Sequence, residues 1–157
     1  MMNNVLIRPA VPDDAPAIKR ILDLYVEERI VLPRSEDDIR FYSRNFVVAE
    51  VDGVCRGCCA ARDFGGNLLE IRSLAVERGL IGRGLGRLMV EFIIERLKEE
   101  RSQFRLFALT LRADFFQKLG FEIVEKELFP EKIWSDCDKC PKKDCCDEIA
   151  VLISHGF

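Results

Sequence analysis

The stretch Leu80-Ile81-Gly82-Arg83-Gly84-Leu85-Gly86-Arg87 stands between a strand-like run over 68–76 and an amphipathic run over 84–99 with the spacing of a helix. Glycines at alternate positions, Gly82, Gly84 and Gly86, let the backbone curl so that successive N–H groups face one point. The positive N-terminal end of the following helix adds to that field. A loop of this kind, entered from a strand and left through a helix, is built to hold a phosphate or pyrophosphate.

Working outward, the helix after the loop places Leu85, Leu88, Met89, Phe92, Ile93 and Leu97 on one face and Arg87, Glu91, Glu95 and Lys98 on the other, so it packs onto a sheet. Before the loop, Asp52-Gly53 separates two strands, 46–51 and 54–61, and is a strong signal for a two-residue hairpin. A second turn at Phe64-Gly65-Gly66-Asn67 leads into 68–76, so the middle of the chain reads as a three-stranded antiparallel meander. Upstream lie a short apolar strand, 5–8, and a helix whose N-cap candidate is Pro12-Asp13-Asp14, followed by Ile18, Ile21, Leu22, Tyr25 and Val26. A short helix over 36–43 follows. Downstream come a buried strand over 104–110, a helix over 112–119 closed by Gly120, a strand over 121–126 and a last strand over 148–153. Between the last two strands an insertion, 127–147, carries the only Trp and four of the cysteines. The order predicts one α+β domain over 1–157: a mixed, mostly antiparallel sheet of six to seven strands flanked by helices.

Composition narrows the partners. With 157 residues the chain can bury roughly two-thirds of its unfolded surface around one core. Lys and Arg (24) nearly balance Asp and Glu (27), a net charge of −3 that lacks the basic field of a nucleic-acid binder. The first residues have no apolar signal region, and no run approaches the ~18 apolar residues that span a bilayer, which predicts a soluble cytoplasmic protein. Seven cysteines are an odd number and do not read as a secreted disulfide framework.

The phosphate loop itself excludes two nucleotide classes. A Walker A loop needs Gly-Lys-Ser/Thr, and neither Lys nor Ser or Thr follows these glycines. The dinucleotide fingerprint would start at Gly82 and Gly84 but puts Arg87 where its third glycine belongs, and Phe104-Arg105-Leu106-Phe107 stands where the ribose-binding acid is expected. A coenzyme A pyrophosphate remains.

At these residues the chain resembles the GNAT superfamily of acetyl-CoA-dependent N-acetyltransferases, whose signature is Gln/Arg-x-x-Gly-x-Gly/Ala after the fourth strand. Gly84 and Gly86 match it, with Gly82 and Arg83 as in the Arg-Gly-x-Gly-x-Gly variant; Ile81 departs from it, standing where the family has Gln or Arg. The strand Leu69-Glu70-Ile71-Arg72-Ser73-Leu74-Ala75-Val76, the block Phe115-Phe116-Gln117-Lys118-Leu119-Gly120-Phe121 and the Asp-Gly hairpin extend the likeness over nearly the whole chain. The resemblance implies that acetyl-CoA lies against Leu74, Ala75, Val76, Ile81, Gly82, Arg83, Gly84, Leu85, Gly86, Arg87 and Phe115. Within the superfamily the chain is most similar to the short, kinase-domain-free N-acetylglutamate synthases. That similarity rests on Leu32-Pro33-Arg34-Ser35, Glu70 to Val76, Leu109-Thr110-Leu111-Arg112 and Pro130-Glu131-Lys132-Ile133-Trp134.

The implied acceptor, L-glutamate, carries two carboxylates, and Arg holds a carboxylate best through its planar fork. Arg34, Arg72 and Arg112 fall in segments that flank the acceptor pocket in the family; the alternative for each is a solvated surface charge. The acceptor amine must lose a proton before it attacks, which gives Glu70 the role of general base, with an exposed strand carboxylate as the alternative. By resemblance the backbone N–H of Val76 stabilises the charge on the thioester oxygen. The family's leaving-group Tyr is absent where Phe115-Phe116 stands, so the thiolate departs with little acid help, Ser73 being the backup donor.

The spacing Cys137-x2-Cys140-x4-Cys145-Cys146 leaves three readings open: a zinc site, free thiols that pack or lie at the surface, or a redox pair. Cys55, Cys58 and Cys59 read as small core residues, and His155 as lying near a fraying end. The leading reading is an N-acetyltransferase making N-acetyl-L-glutamate in the first step of arginine biosynthesis. Its competitors are a GNAT enzyme for another amino acid, a polyamine or a protein amine, and a weakly catalytic acyl-CoA- or metal-binding regulatory module. The expected partners are small molecules, not nucleic acid or membrane, with a homodimer among the open oligomeric states.

Overall fold

Asp52 and Gly53 adopt φ of 51° and 81°, the left-handed pair that a type I′ turn demands. The flanking strands β2 (Phe46–Val51) and β3 (Val54–Asp63) accordingly pair antiparallel with Val51 opposite Val54. This computed structural model describes residues 4–26, 34–129 and 148–157. Its strands hydrogen-bond in the order β1-β2-β3-β4-β5-β7-β6, with β1 Val5–Pro9, β4 Leu68–Val76, β5 Phe104–Thr110, β6 Glu122–Val124 and β7 Ile149–His155. The seven-stranded mixed sheet is the expected one. The pairing of β4 with β5 is parallel, since a helical crossover and not a hairpin joins them. β1 on β2, β5 on β7 and β6 on β7 are antiparallel.

Packing divides the chain into two units, Met1–Arg62 with Ile71–Glu100, and Asp63–Glu70 with Arg101–Phe157, so the division crosses β4. In the first unit, α1 (Ala15–Val26) contributes Ile18, Ile21, Leu22 and Tyr25 to a core shared with Ile39 of α2 (Glu36–Phe41), Phe46 and Val48, Cys58 and Ala60, and Ala75. The expected helix over 36–43 stops earlier, at Phe41, and a 3-10 turn, Ser43–Asn45, follows. Ser35 caps α2, its hydroxyl accepting from the Asp38 N–H at 3.0 Å. Asp14 does not cap α1; it ends a 3-10 turn, accepts from the Val11 N–H at 2.8 Å and pairs with Arg8.

The long helix α3 (Leu85–Glu100) packs against β1 and β2 and buries Leu85, Met89, Val90, Ile93, Ile94 and Leu97. Its buried stripe is rotated from the expected face. Leu88 is 38% exposed, and Val90 and Ile94 take the sheet side instead. Each fully buried side chain of this size contributes about 1.5–3 kcal/mol relative to exposure, so the stripe is what ties α3 to the strands.

In the second unit, Leu68, Phe107, Phe129 and Ala150 form the core, with Phe64, Leu109, Val124 and Leu152 packed around them. The short helix α4 (Ala113–Gln117) rests on β6 and β7. It is shorter than 112–119, and Gly120, at φ 98°, turns the chain after it. His155 is not at a frayed end: it lies in β7 opposite Phe104, their ring centroids 5.3 Å apart. The expected insertion over 127–147 begins as structure, because Phe129 is 1% exposed in the core; residues 130–147, with Cys137, Cys140, Cys145, Cys146 and Trp134, lie outside the described residues.

Candidate active site

β4 does not run straight into the glycine loop. Ser73 sits at φ 52° in mid-strand, a conformation that costs a non-glycine residue about 1–2 kcal/mol and therefore needs support. The Cys58 thiol provides some, donating to the Ser73 carbonyl at 3.5 Å. Strained positions of this kind concentrate at functional sites, and this one lies in the strand that carries Glu70, Arg72, Leu74, Ala75 and Val76. Leu74 and Val76 are half-buried and Ala75 is buried. No glycine marks the kink in the sequence.

After Val76, the N–H groups of Leu80, Ile81 and Arg83 are used inside the turn, donating to Glu77, Arg78 and Leu80 respectively. The loop then reaches φ of 84° at Gly82 and 87° at Gly84, and the Gly84 carbonyl accepts from Leu88 as α3 begins. The donors that can converge on an anion are therefore those of Gly82, Gly84 and the first turn of α3, whose N–H groups have no intrahelical acceptor. This is a narrower set than an eight-residue reading of the loop. Leu85 has only its backbone to offer a ligand, its side chain being 1% exposed, while Arg83 and Ile81 are exposed and Arg87 pairs with Glu91 at 3.1 Å. A separate shallow cavity of about 390 Å³ is lined by Val51, Asp52 and Val54 of the β2–β3 hairpin and by Arg56, Glu77, Gly79 and Leu80, and none of the proposed catalytic or substrate-binding side chains lines it.

Also in the first unit, Arg34 is held within the chain. It pairs with Asp38 at 2.7 Å and its guanidinium lies 5.1 Å from the Phe46 ring centroid and 5.9 Å from that of Tyr42. Arg72 is half-buried on β4. Cys58 and Cys59 are fully buried and Cys55 half-buried, and burial raises all three thiols above their usual range, which suits packed neutral thiols. Among the described residues no group of His, Cys, Asp and Glu side chains is placed to hold a metal ion, and no helix is long and apolar enough to cross a membrane.

In the second unit, Glu70 pairs with Phe107 in the parallel register and is 3% exposed. A solvated strand carboxylate is thereby excluded: burying a carboxylate is costly, and positions that keep one are enriched in function. Arg112 precedes α4 with its backbone N–H bound to the Thr110 hydroxyl at 2.8 Å, and its side chain is 71% exposed beside Asp114 at 3.7 Å. Phe115 is half-buried, edge-on to Phe116 at 5.0 Å.

Sequence reasoning missed two polar anchors at the end of β4. Tyr25, read as a core residue, donates its hydroxyl to the Val76 carbonyl, and Arg56 pairs with Glu77 at 2.7 Å. A tyrosine on an otherwise aliphatic helix face was the available signal.

With this geometry in place, comparison with known proteins is informative. Residues 42–123 match the family model described as an acetyltransferase (GNAT) domain. An uncharacterized N-acetyltransferase of Chlorobaculum tepidum is 45% identical over 146 residues, covering 93% of this chain and 94% of that protein. An amino-acid acetyltransferase of Mycobacterium tuberculosis is 32% identical over 123 residues, 76% of this chain and 70% of its own length. N-acetylglutamate synthase from Neisseria gonorrhoeae, solved with coenzyme A and N-acetyl-glutamate, superposes with a TM-score of 0.83 at 26% identity, covering 98% of this chain. The chain spans only 36% of that synthase.

Proposed function

The chain belongs to the GNAT family of acetyltransferases, and on that premise we propose that it transfers an acetyl group from acetyl-CoA to the amino group of L-glutamate. The observation that carries the reading is the buried carboxylate of Glu70, upstream of Val76 and the glycine loop on one strand. The likeness to amino-acid acetyltransferases and to N-acetylglutamate synthase supports the acceptor. The reading takes the chain as one GNAT domain and its product as the first intermediate of arginine biosynthesis.

In this mechanism the pyrophosphate of acetyl-CoA lies against the Gly82 and Gly84 peptides and the first turn of α3, with Leu74, Ala75, Val76, Ile81, Arg83, Leu85, Gly86, Arg87 and Phe115 completing the coenzyme site. Glu70 removes a proton from the glutamate ammonium, directly or through a water, so that the nitrogen lone pair adds to the thioester carbonyl carbon. The electron pair displaced onto oxygen is stabilised by the Val76 N–H. The adduct nitrogen, still carrying two hydrogens, releases its second proton to solvent, and collapse of the adduct re-forms the carbonyl and breaks the C–S bond to leave the neutral amide. The electron pair leaves on the coenzyme A sulfur, a thiolate with a pKa of about 8.5 on the cysteine scale that needs little acid help, with Ser73 as the available donor.

Glutamate's carboxylates are assigned to Arg34, Arg72 and Arg112. Arg34 is paired with Asp38 and lies over two rings, a pair that it must exchange to reach a carboxylate. Arg112, whose side chain is 71% exposed beside Asp114, carries the assignment that is easiest to test. N-acetyl-L-glutamate should be detectable by mass after incubation of the protein with acetyl-CoA and L-glutamate. Arg112→Ala should raise the KM for glutamate by about 10- to 100-fold, the worth of one charged hydrogen bond. Unchanged kinetics in that variant remove Arg112 from the site, and absence of product removes glutamate.

A further inference from the structure

The ring of Tyr25 belongs to the core, but its hydroxyl serves the backbone of another element. The residue is 9% exposed and donates to the carbonyl of Val76. That carbonyl is part of the peptide joining Val76 to Glu77, and the N–H of the same peptide donates to the carbonyl of Arg56 on β3 at 2.8 Å. The Tyr25 ring is held in turn. The guanidinium of Arg78 lies 4.9 Å from its centroid and donates to the Leu24 carbonyl at 2.6 Å. One peptide earlier, the Ala75 carbonyl closes against β3: a Cβ added to Gly57 would stand 3.3 Å from its oxygen and 3.1 Å from the Met89 methyl. The peptide after Val76 is thus held at both its carbonyl and its N–H, β3 leaves little room beside the peptide before it, and the Val76 N–H belongs to that preceding peptide.

We propose that Tyr25 is a positioning residue for acetyl transfer: by holding the Val76 carbonyl, its hydroxyl restrains rotation about the Val76 Cα and so steadies the preceding peptide, which carries the Val76 N–H. The inference rests on the acetyltransferase reading above, in which that N–H meets the charge on the thioester oxygen. A donor to an oxyanion is effective because it is oriented before the charge appears; one that must be oriented during the step returns part of its benefit. Phenylalanine would fill the same space in the core. The hydroxyl is therefore explained by its acceptor, the Val76 carbonyl.

The experiment is steady-state kinetics of wild type and Tyr25→Phe with acetyl-CoA and the best acceptor found, beside thermal unfolding of both. Loss of a whole oxyanion donor costs about 100- to 1,000-fold in kcat, and loss of its orientation should cost about 10-fold. The KM for each substrate should stay within about twofold, because the hydroxyl touches neither ground-state ligand. A tyrosine that only supports the fold would lower Tm and leave kcat per folded molecule unchanged, which overturns the proposal, as does an equal effect on KM and kcat. If Tyr25→Phe fails to fold, Arg78→Met, which removes the guanidinium that holds the Tyr25 ring, is judged by the same split. A wild-type protein that acetylates another amine but not glutamate overturns only the acceptor and leaves Tyr25 testable with that amine. A wild-type protein inactive with every acceptor overturns the catalytic reading and this role together.

Discussion

The rings of Phe107 and Phe129 stack face to face, their centroids 4.0 Å apart and their planes 7° from parallel. Phe107 is the residue of β5 opposite Glu70, and Phe129 closes the core at the point where the chain leaves the described structure. The first residues of the long connection before β7 therefore serve the fold. Phe129→Ala removes a fully buried ring and should cost about 3–5 kcal/mol. Urea unfolding checks this: a loss below about 1 kcal/mol would mean that the stack is not part of the core.

Acid should weaken the first unit in a defined direction. Hydrogen bonds from Arg8 hold the Asp14 carboxyl below its usual value despite partial burial, and hydrogen bonding from Arg56 does the same for Glu77. A carboxyl whose folded pKa lies below its unfolded one takes up its proton first in the unfolded chain, so its stabilisation is complete above about pH 4 and is lost as pH falls through the folded value. Tm should accordingly be flat from pH 7 to about 5 and fall below about 4. Arg8→Met should flatten that fall while lowering Tm at pH 7; an unchanged acid limb would show that the network around Asp14 does not control it.

Gly82 and Gly84 should be sensitive to alanine for a backbone reason alone. No heavy atom lies within 4 Å of a Cβ built on either, so the penalty of about 1–2 kcal/mol comes from their positive φ and not from a clash. Gly79 has the same open surroundings without positive φ and is the control. The KM for acetyl-CoA should rise about 10-fold in Gly82→Ala and Gly84→Ala and stay level in Gly79→Ala. Equal behaviour of all three would separate the loop conformation from coenzyme binding.

Glu70→Gln keeps the shape of the buried side chain and removes its basicity. The acetyl-transfer rate at pH 7 should fall about 100- to 10,000-fold, the usual contribution of a positioned general base. Raising the pH, which deprotonates more of the acceptor amine in solution, should recover part of the loss. A variant as active as wild type would leave the proton to another group.

Much of this was legible because it is local. Asp52-Gly53 specifies its turn by two φ values, and Gly82 and Gly84 announce the conformation they adopt. The burial of Glu70 was not legible. Leu68, Leu69 and Ile71 around it are buried as well, so β4 has no alternation from which the environment of one carboxylate can be read. Ser73 bends its strand with no glycine to signal it, and Tyr25 acquires its role from a carbonyl far along the chain. His155 read as a frayed end because its partner, Phe104, is distant in sequence. The rotated stripe of α3 has a similar origin: the helix offers apolar residues on more than one side, and the strands it meets decide between Leu88 and Ile94.

The most direct test of the central claim is the rate of coenzyme A thiol release from acetyl-CoA with L-glutamate, L-glutamine, L-aspartate and a polyamine supplied separately. A site in which arginines hold both carboxylates should give a kcat/KM for glutamate at least about 10-fold above glutamine, one charged contact being worth that much, and no turnover of the polyamine. Release with glutamate no faster than the acceptor-free blank, or preference for the polyamine, would contradict it.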